Sequence, residues 1–220
     1  MTLTFPKILH DWLKHELDPH LFRKAGTIKS GSGTIASGAV LGKIKTGAAT
    51  SAAKAGGNTG TGTLTVDATT PVLAGGVPGI YTVRLIAAAT DGGTFRVEDP
   101  NGYVIGEVAV GATFAEQIKF ATADGGTDFV VGDGFDITVA VGSEKFVPVD
   151  FDANDGSQVA AAISIDAVDA TDADVEGALL TGQAKIVTSQ LTWPAGASAP
   201  EKAAAIAQLA ALNIVDHQRY

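Results

Sequence analysis

The chain has 220 residues, 45% of them hydrophobic, and a formal net charge of -9. That apolar content can bury a core in one large or two small domains, while the negative balance excludes a general nucleic-acid binder, which sets clustered Lys and Arg against phosphate. There is no cysteine, so disulfides and thiolate chemistry are excluded too. Abundant Gly, Thr, Val and Ala with few aromatics suit short strands and tight turns, so the expected class is mainly β with some α. The sequence opens without the pattern of a signal peptide, and no stretch approaches the ~18 apolar residues of a membrane span. Synthesis in the cytoplasm with no membrane partner is the expectation.

Phe5, Ile8, Leu9, Trp12, Leu13 and Leu17 recur at a spacing that predicts an amphipathic helix over 5–17. Thr4 can cap its start, Pro6 is tolerated in the first turn, and Pro19 marks the end at Asp18. Gly31 and Gly33 predict a turn, and residues 38–44 read as a strand. Residues 46–62, TGAATSAAKAGGNTGTG, are nearly all small and polar and read as a linker or solvated loop.

Period-2 segments follow, most clearly Ile80 to Ile86 and Phe135 to Val141, where Phe135, Ile137, Val139 and Val141 share one face. Asn101-Gly102 between FRVE and YVIGEV predicts a hairpin. An all-β sandwich or barrel of about seven strands fits residues 62–142. Residues 50–143 hold four basic side chains (Lys54, Arg84, Arg96, Lys119) against ten acidic ones, so most of the negative charge lies there.

Beyond Gly142 come strand-like KFVPVDF, a turn at Asn154-Asp155-Gly156, an apolar strand from Val159 to Ile165, and a late strand around Ala184 to Thr188. After LTWP, Ser198 and Glu201 have capping-box spacing and open a helix with an apolar edge of Ile206, Leu209 and Leu212.

No catalytic, cofactor or metal site emerges. Asp150, Asp152 and Asn154 have the first spacings of a calcium loop, but the glycine comes one place late at Gly156 and the twelfth position is Ala161, so a polar turn is the better reading. His10, His15 and His20 recur every five residues, which on a helix separates neighbours by about 140° and prevents convergence on one ion. Gly31-Ser32-Gly33-Thr34-Ile35-Ala36 imitates a dinucleotide loop without a leading apolar strand or a following helix. Glu98 with Asp99, and Asp133 with Asp136, read as turn and solvent-face carboxylates.

Three segments then acquire a joint meaning: AGTIKSGSGTIASGAVLGKI at 25–44, FVPVDFDANDGSQVAAAISIDAVDAT at 146–171, and LTWPAGASAPEKAAAIAQLAALNIV at 191–215. In this order they resemble the head decoration protein family of tailed phages, the family of the lambda shell protein. The resemblance implies a small α+β decoration-protein core (26–49 plus 144–220) of short strands with a C-terminal helix. An N-terminal capsid-binding arm (1–25) precedes it, and an inserted all-β sandwich or barrel (50–143) interrupts it.

It further implies no enzyme, but a homotrimer on the outer surface of the expanded head that binds the major capsid protein and stabilises the shell against DNA pressure. In this family the arm is loose until it orders on the capsid by strand addition; the helical pattern here points instead to a helix in a groove. Phe5, Ile8, Leu9, Trp12, Leu13, Leu17, Leu21 and Phe22 are the candidate capsid contacts, and Trp193 and Pro194 the candidate core or trimer contacts. The alternative is a virion- or cell-surface adhesin binding host glycans through Tyr81, Phe95, Tyr103 and Phe114.

Overall fold

Residues 7–217 are described by the structure, a computed structural model, and their first stretch departs from the helix expected over 5–17. Instead come one turn of helix α1 (Leu9–Trp12), strand β1 (Leu13–Glu16), one turn of helix α2 (Pro19–Phe22) and strand β2 (Arg23–Ile28). Trp12 and Leu13 are both buried, and Leu13 pairs with Ile186 in a sheet ladder while the Val187 N–H donates to the Trp12 carbonyl at 2.7 Å. A sheet edge offering backbone partners thus outcompetes a locally plausible helix, because isolated helices of this length are marginal. Pro19 opens α2 as its first residue, with the Asp18 side chain accepting from the His20 N–H at 2.8 Å. Strands β3 (Gly33–Ile35) and β4 (Val40–Lys43) follow.

The chain then builds β5 (Thr46–Ala53), β6 (Thr63–Val66), β7 (Gly79–Ala89), β8 (Gly92–Glu98), β9 (Val104–Ala109), β10 (Thr113–Ala115), β11 (Lys119–Ala123) and β12 (Gly134–Val141). It continues with β13 (Phe146–Pro148), β14 (Ala160–Ser164), β15 (Val168–Ala170), β16 (Val175–Leu180), β17 (Ala184–Ile186), helix α3 (Ala199–Ala211) and β18 (Ile214–Asp216). Two units result: Met1–Ile44 with Glu144–Tyr220, and Lys45–Ser143.

In the first unit a closed barrel runs β13-β2-β16-β14-β4, flanked by the sheets β1-β17-β18 and β15-β3. β4 pairs with β13 through Lys43↔Phe146 and Leu41↔Pro148, and with β14 through Val40↔Ile163. Gly42 is required there, since a Cβ would lie 1.9 Å from the Ser157 carbonyl oxygen. α3 carries the expected capping box, with Glu201 accepting from the Ser198 N–H at 2.7 Å, and buries Ala205 and Leu209. Its Gln208 side chain accepts from the Ala160 N–H at 2.8 Å and ties the helix to β14.

Trp12 sits at the centre of this core, 0% exposed, with Val40, Ile163, Leu180, Ile186 and Leu209 in the same cluster. Its indole N–H donates to Ser37 Oγ at 3.0 Å, and the Ser37 hydroxyl donates to the Ile165 carbonyl at 2.6 Å. Gly38, at φ +80°, leaves the room the ring fills, for a Cβ would come within 2.9 Å of it. Residues 7–25 therefore belong to this unit.

In the second unit a five-stranded sheet, β5-β12-β7-β8-β9, and a three-stranded one, β10-β11-β6, share one core. Alternation places Tyr81, Val83 and Leu85 inward from β7 and Phe135, Ile137 and Val139 from β12. Phe95 packs at 5.2 Å from Phe129 and 6.1 Å from Phe135, ring centre to ring centre. Val141, expected on that buried face, is exposed, because the register against β5 shifts between Val139 and Val141.

The expected linker at 46–62 is corrected as well. Its first half is β5, hydrogen-bonded along β12 from Ala53↔Phe135 to Thr46↔Val141, since ladder bonds need no large side chains. For that reason the unit begins at Lys45. The hairpin at Asn101-Gly102 joins β8 to β9, with buried Asp99 accepting from the Asn101 and Tyr103 N–H groups at 2.9 Å each.

Ser37→Ala strands both the indole N–H and the Ile165 carbonyl and should cost about 1–3 kcal/mol, and Trp12→Ala about 3–5 kcal/mol, read from urea unfolding. Removing residues 1–20 should likewise strip the core and not merely a contact.

In the second unit, burial pushes the Asp133 carboxyl up, but the N–H groups of Gly60, Thr59 and Val130 outweigh it and hold the group below the ordinary carboxylate range. Its contribution is present above the unfolded value, about 3.9, and is lost as pH falls through the folded value. Protection factors of the amides in β7 and β12, corrected for the intrinsic exchange rate, should therefore fall below about pH 4, and less steeply in Asp133→Asn.

Candidate functional site

The segment Lys7–Ile28 carries most of the residues singled out from the sequence, and the fold divides them by the direction each backbone position faces. Trp12 and Leu13 point into the core of the first unit and are buried there. Ile8, Leu17 and Leu21 are 58%, 66% and 59% exposed, large apolar side chains left on the surface. Leu9 and Phe22 are half-buried. Phe5 lies outside the described residues.

Backbone bonds hold these positions. The Leu17 N–H donates to the Gln183 carbonyl at 3.1 Å, and the Thr181 N–H donates to the Phe22 carbonyl at 2.9 Å. The Glu16 carboxylate pairs with the Arg23 guanidinium across α2 and holds it above its ordinary pKa. β1 and β18 are the two edge strands of their sheet.

Trp193 and Pro194 follow a bridge between Ala39 and Thr192, in which the Thr192 N–H donates to the Gly38 carbonyl at 2.8 Å. Trp193 packs one side against the Trp12 cluster and remains half exposed on the other. There it lines an apolar cleft of about 200 Å³ with Ile35, Ala39, Pro148 and Pro194. A larger open groove of about 650 Å³ shares Pro148 and Pro194 and runs on to Asp150, Asp152, Asp155 and Glu201.

The chemistry-bearing candidates resolve into local structure. Asp150 accepts from the Asp152 N–H at 3.1 Å and Asp155 from the Ser157 N–H at 2.9 Å, which is turn chemistry. His10, His15 and His20 fall on α1, β1 and α2, three separate elements. Gly31, in the turn between β2 and β3, and Gly33, the first residue of β3, take positive φ. Asp136 pairs with Arg84 and Glu98 with Arg96, while Asp99 and Asp133 bind backbone N–H groups.

Among the described residues one group of three acidic side chains lies close enough to share a cation, Asp91, Asp124 and Asp128. The sequence did not single it out, and proximity alone does not make a site. Of the four aromatics that a glycan platform would use, Tyr81, Phe95 and Phe114 are core residues and only Tyr103 is exposed.

Sequence reasoning missed the roles of Ser37 and Gly38. Short polar and flexible residues are common in turns, and no local signal says that an indole 25 positions earlier will lie on them.

The sequence profile of a family described as bacteriophage lambda head decoration protein D matches residues 2–214. None of the curated proteins matches the chain. Among solved structures, two crystal structures of FlgL from Xanthomonas campestris, in space groups H3 and C2, match at 24% identity with a TM-score of 0.31. The matches cover 48% and 47% of this chain and 34% and 33% of those chains, so the chain spans about a third of their length. That likeness carries no argument.

Proposed function

Because the chain belongs to the bacteriophage lambda head decoration protein D family, we propose that it is a structural, non-enzymatic component of a phage head, made in the host cytoplasm and added to the outside of the expanded capsid as a homotrimer. Each trimer contacts several major capsid protein subunits, so its contacts must break together before the lattice opens under the pressure of packaged DNA. The observation that carries this reading is the extent of the family match, which spans residues 2–214 and so includes the flanks that build the first unit.

Ile8, Leu17 and Leu21, with Leu9 and Phe22 beside them, are the capsid contacts in this reading, because they are the apolar side chains the N-terminal segment leaves uncovered. The helix-in-groove mode lapses with the helix. The place of β1 at the edge of its sheet favours strand addition instead, in which main-chain bonds supply affinity and flanking side chains specificity. Trp193 and Pro194 belong to the trimer contact. Residues 45–143, with most of the negative charge, are an added β module facing solvent on the decorated head.

Purified protein mixed with expanded heads tests this directly. The wild-type chain should pellet with heads and show, by light scattering, a mass three times 22.2 kDa. Leu17→Asp with Leu21→Asp should weaken head binding by at least about tenfold, with thermal stability changed by no more than about 0.5 kcal/mol. A monomer that ignores heads, or a double variant that binds them unchanged, contradicts the proposal.

A further inference from the structure

We propose that Glu16 and Arg23 are positioning residues for head binding: their ion pair closes the neck of the Leu17–Phe22 loop and presents Leu17 and Leu21 as a preformed apolar knob for an apolar socket on the capsid protein. The inference rests on the head-binding reading above and adds to it the pair that sets the geometry of the contact. Neither charged residue touches the partner.

The loop's own bonds shape it without aiming it. The Asp18 carbonyl accepts from the Leu21 and Phe22 N–H groups at 3.2 and 3.1 Å, and the Asp18 carboxylate caps the turn that Pro19 opens. One turn of helix is too short to be stable on local bonds alone. Its direction is therefore set at the neck. Glu16 ends β1 and pairs with Ala184 in the sheet β1-β17-β18, whereas Arg23 opens β2 and pairs with Leu180 in the barrel, so their ion pair joins two different sheets.

The pair has the geometry of a clasp. Arg23 Nε donates to Glu16 Oε2 at 2.9 Å while Nη2 donates to Oε1, a two-pronged contact that fixes the planar guanidinium in orientation as well as in distance. The Glu16 side chain is only 12% exposed, so solvent screens the pair less than an ordinary surface contact. Phe22 is seated beside it, for a Cβ on Gly182 would come within 3.0 Å of the Phe22 ring. With Phe22 turned inward, Leu17 and Leu21 remain the outward apolar groups, between the exposed polar residues Asp18 and His20. An apolar centre with a polar rim is the composition of a docking patch, and it fits a socket of the same pattern. A loop held in one orientation also loses less freedom on docking than one that must be ordered by its partner.

Glu16→Gln, Arg23→Gln and the double variant, each in the full-length chain, test this on expanded heads and in free solution. Each single variant should leave heads about tenfold faster than wild type, and the double variant no faster than either single, because the two side chains act as one unit. Arg23→Lys, which keeps the charge but not the fork, should fall between. In the free protein the Leu21 and Phe22 amides should lose protection from exchange in the single variants while those of β14 and α3 keep theirs, a pattern that general destabilisation would not produce. Unchanged loop protection overturns the clasp. Loosened loops that bind heads as wild type does, or losses that add in the double variant, overturn the positioning role alone. A wild-type chain that ignores heads overturns the capsid reading and this role with it.

Discussion

Strand β4 is hydrogen-bonded to β13 on one side and β14 on the other, and the rest of the first unit depends on that double pairing. Its partners lie more than a hundred residues further along the chain, as Lys43↔Phe146 and Val40↔Ile163 record. Closing so long a loop as free chain costs about 4 kcal/mol plus a constant. The cost falls when the intervening chain is itself folded and presents its ends together. Lys45 accepts from the Gly142 N–H at 2.8 Å, and just outside them Ile44 exchanges backbone bonds with Lys145 and Glu144 at 3.0 Å. Residues 45–143 have a complete core of their own, so their folding and the closure of the barrel support each other.

Trp12 is the second constraint, and it ties function to stability. With its ring against Gly38 and its N–H on Ser37, the N-terminal segment is part of the core, and the exposed Ile8, Leu17 and Leu21 ride on a backbone already fixed by β17 and by Gln183. A surface ordered before binding loses less conformational entropy on association than an arm that must fold onto its partner. In this chain the residues proposed to bind the head and those that hold the first unit together alternate along one short stretch.

How much of this was legible in the sequence follows from whether a signal was local. The capping box of Ser198 and Glu201 fixed α3, alternation fixed β7 and most of β12, and Asn101-Gly102 fixed the hairpin, because each signal lies within a few residues. The family was legible because its three segments keep their order despite the interruption. The 5–17 helix failed because the sheet edge that displaced it, β17, lies far along the chain. β5 was invisible because a strand of Ala, Thr, Gly and Ser earns its place through ladder bonds to β12, which leave no hydrophobic pattern. The candidate contacts were legible as apolar residues, but not which of them point inward. That distinction needs the pairing of β1.

The most direct measurement replaces residues 45–143 with a two-residue turn joining Ile44 to Glu144, then follows urea unfolding by tryptophan fluorescence together with amide exchange. If the flanks form one barrel, the shortened chain unfolds in a single cooperative transition, with the Trp12 indole N–H and the amides of β4 and β14 protected. A chain that is unfolded without denaturant, or whose β4 amides exchange freely while α3 stays protected, contradicts a barrel closed by the two flanks.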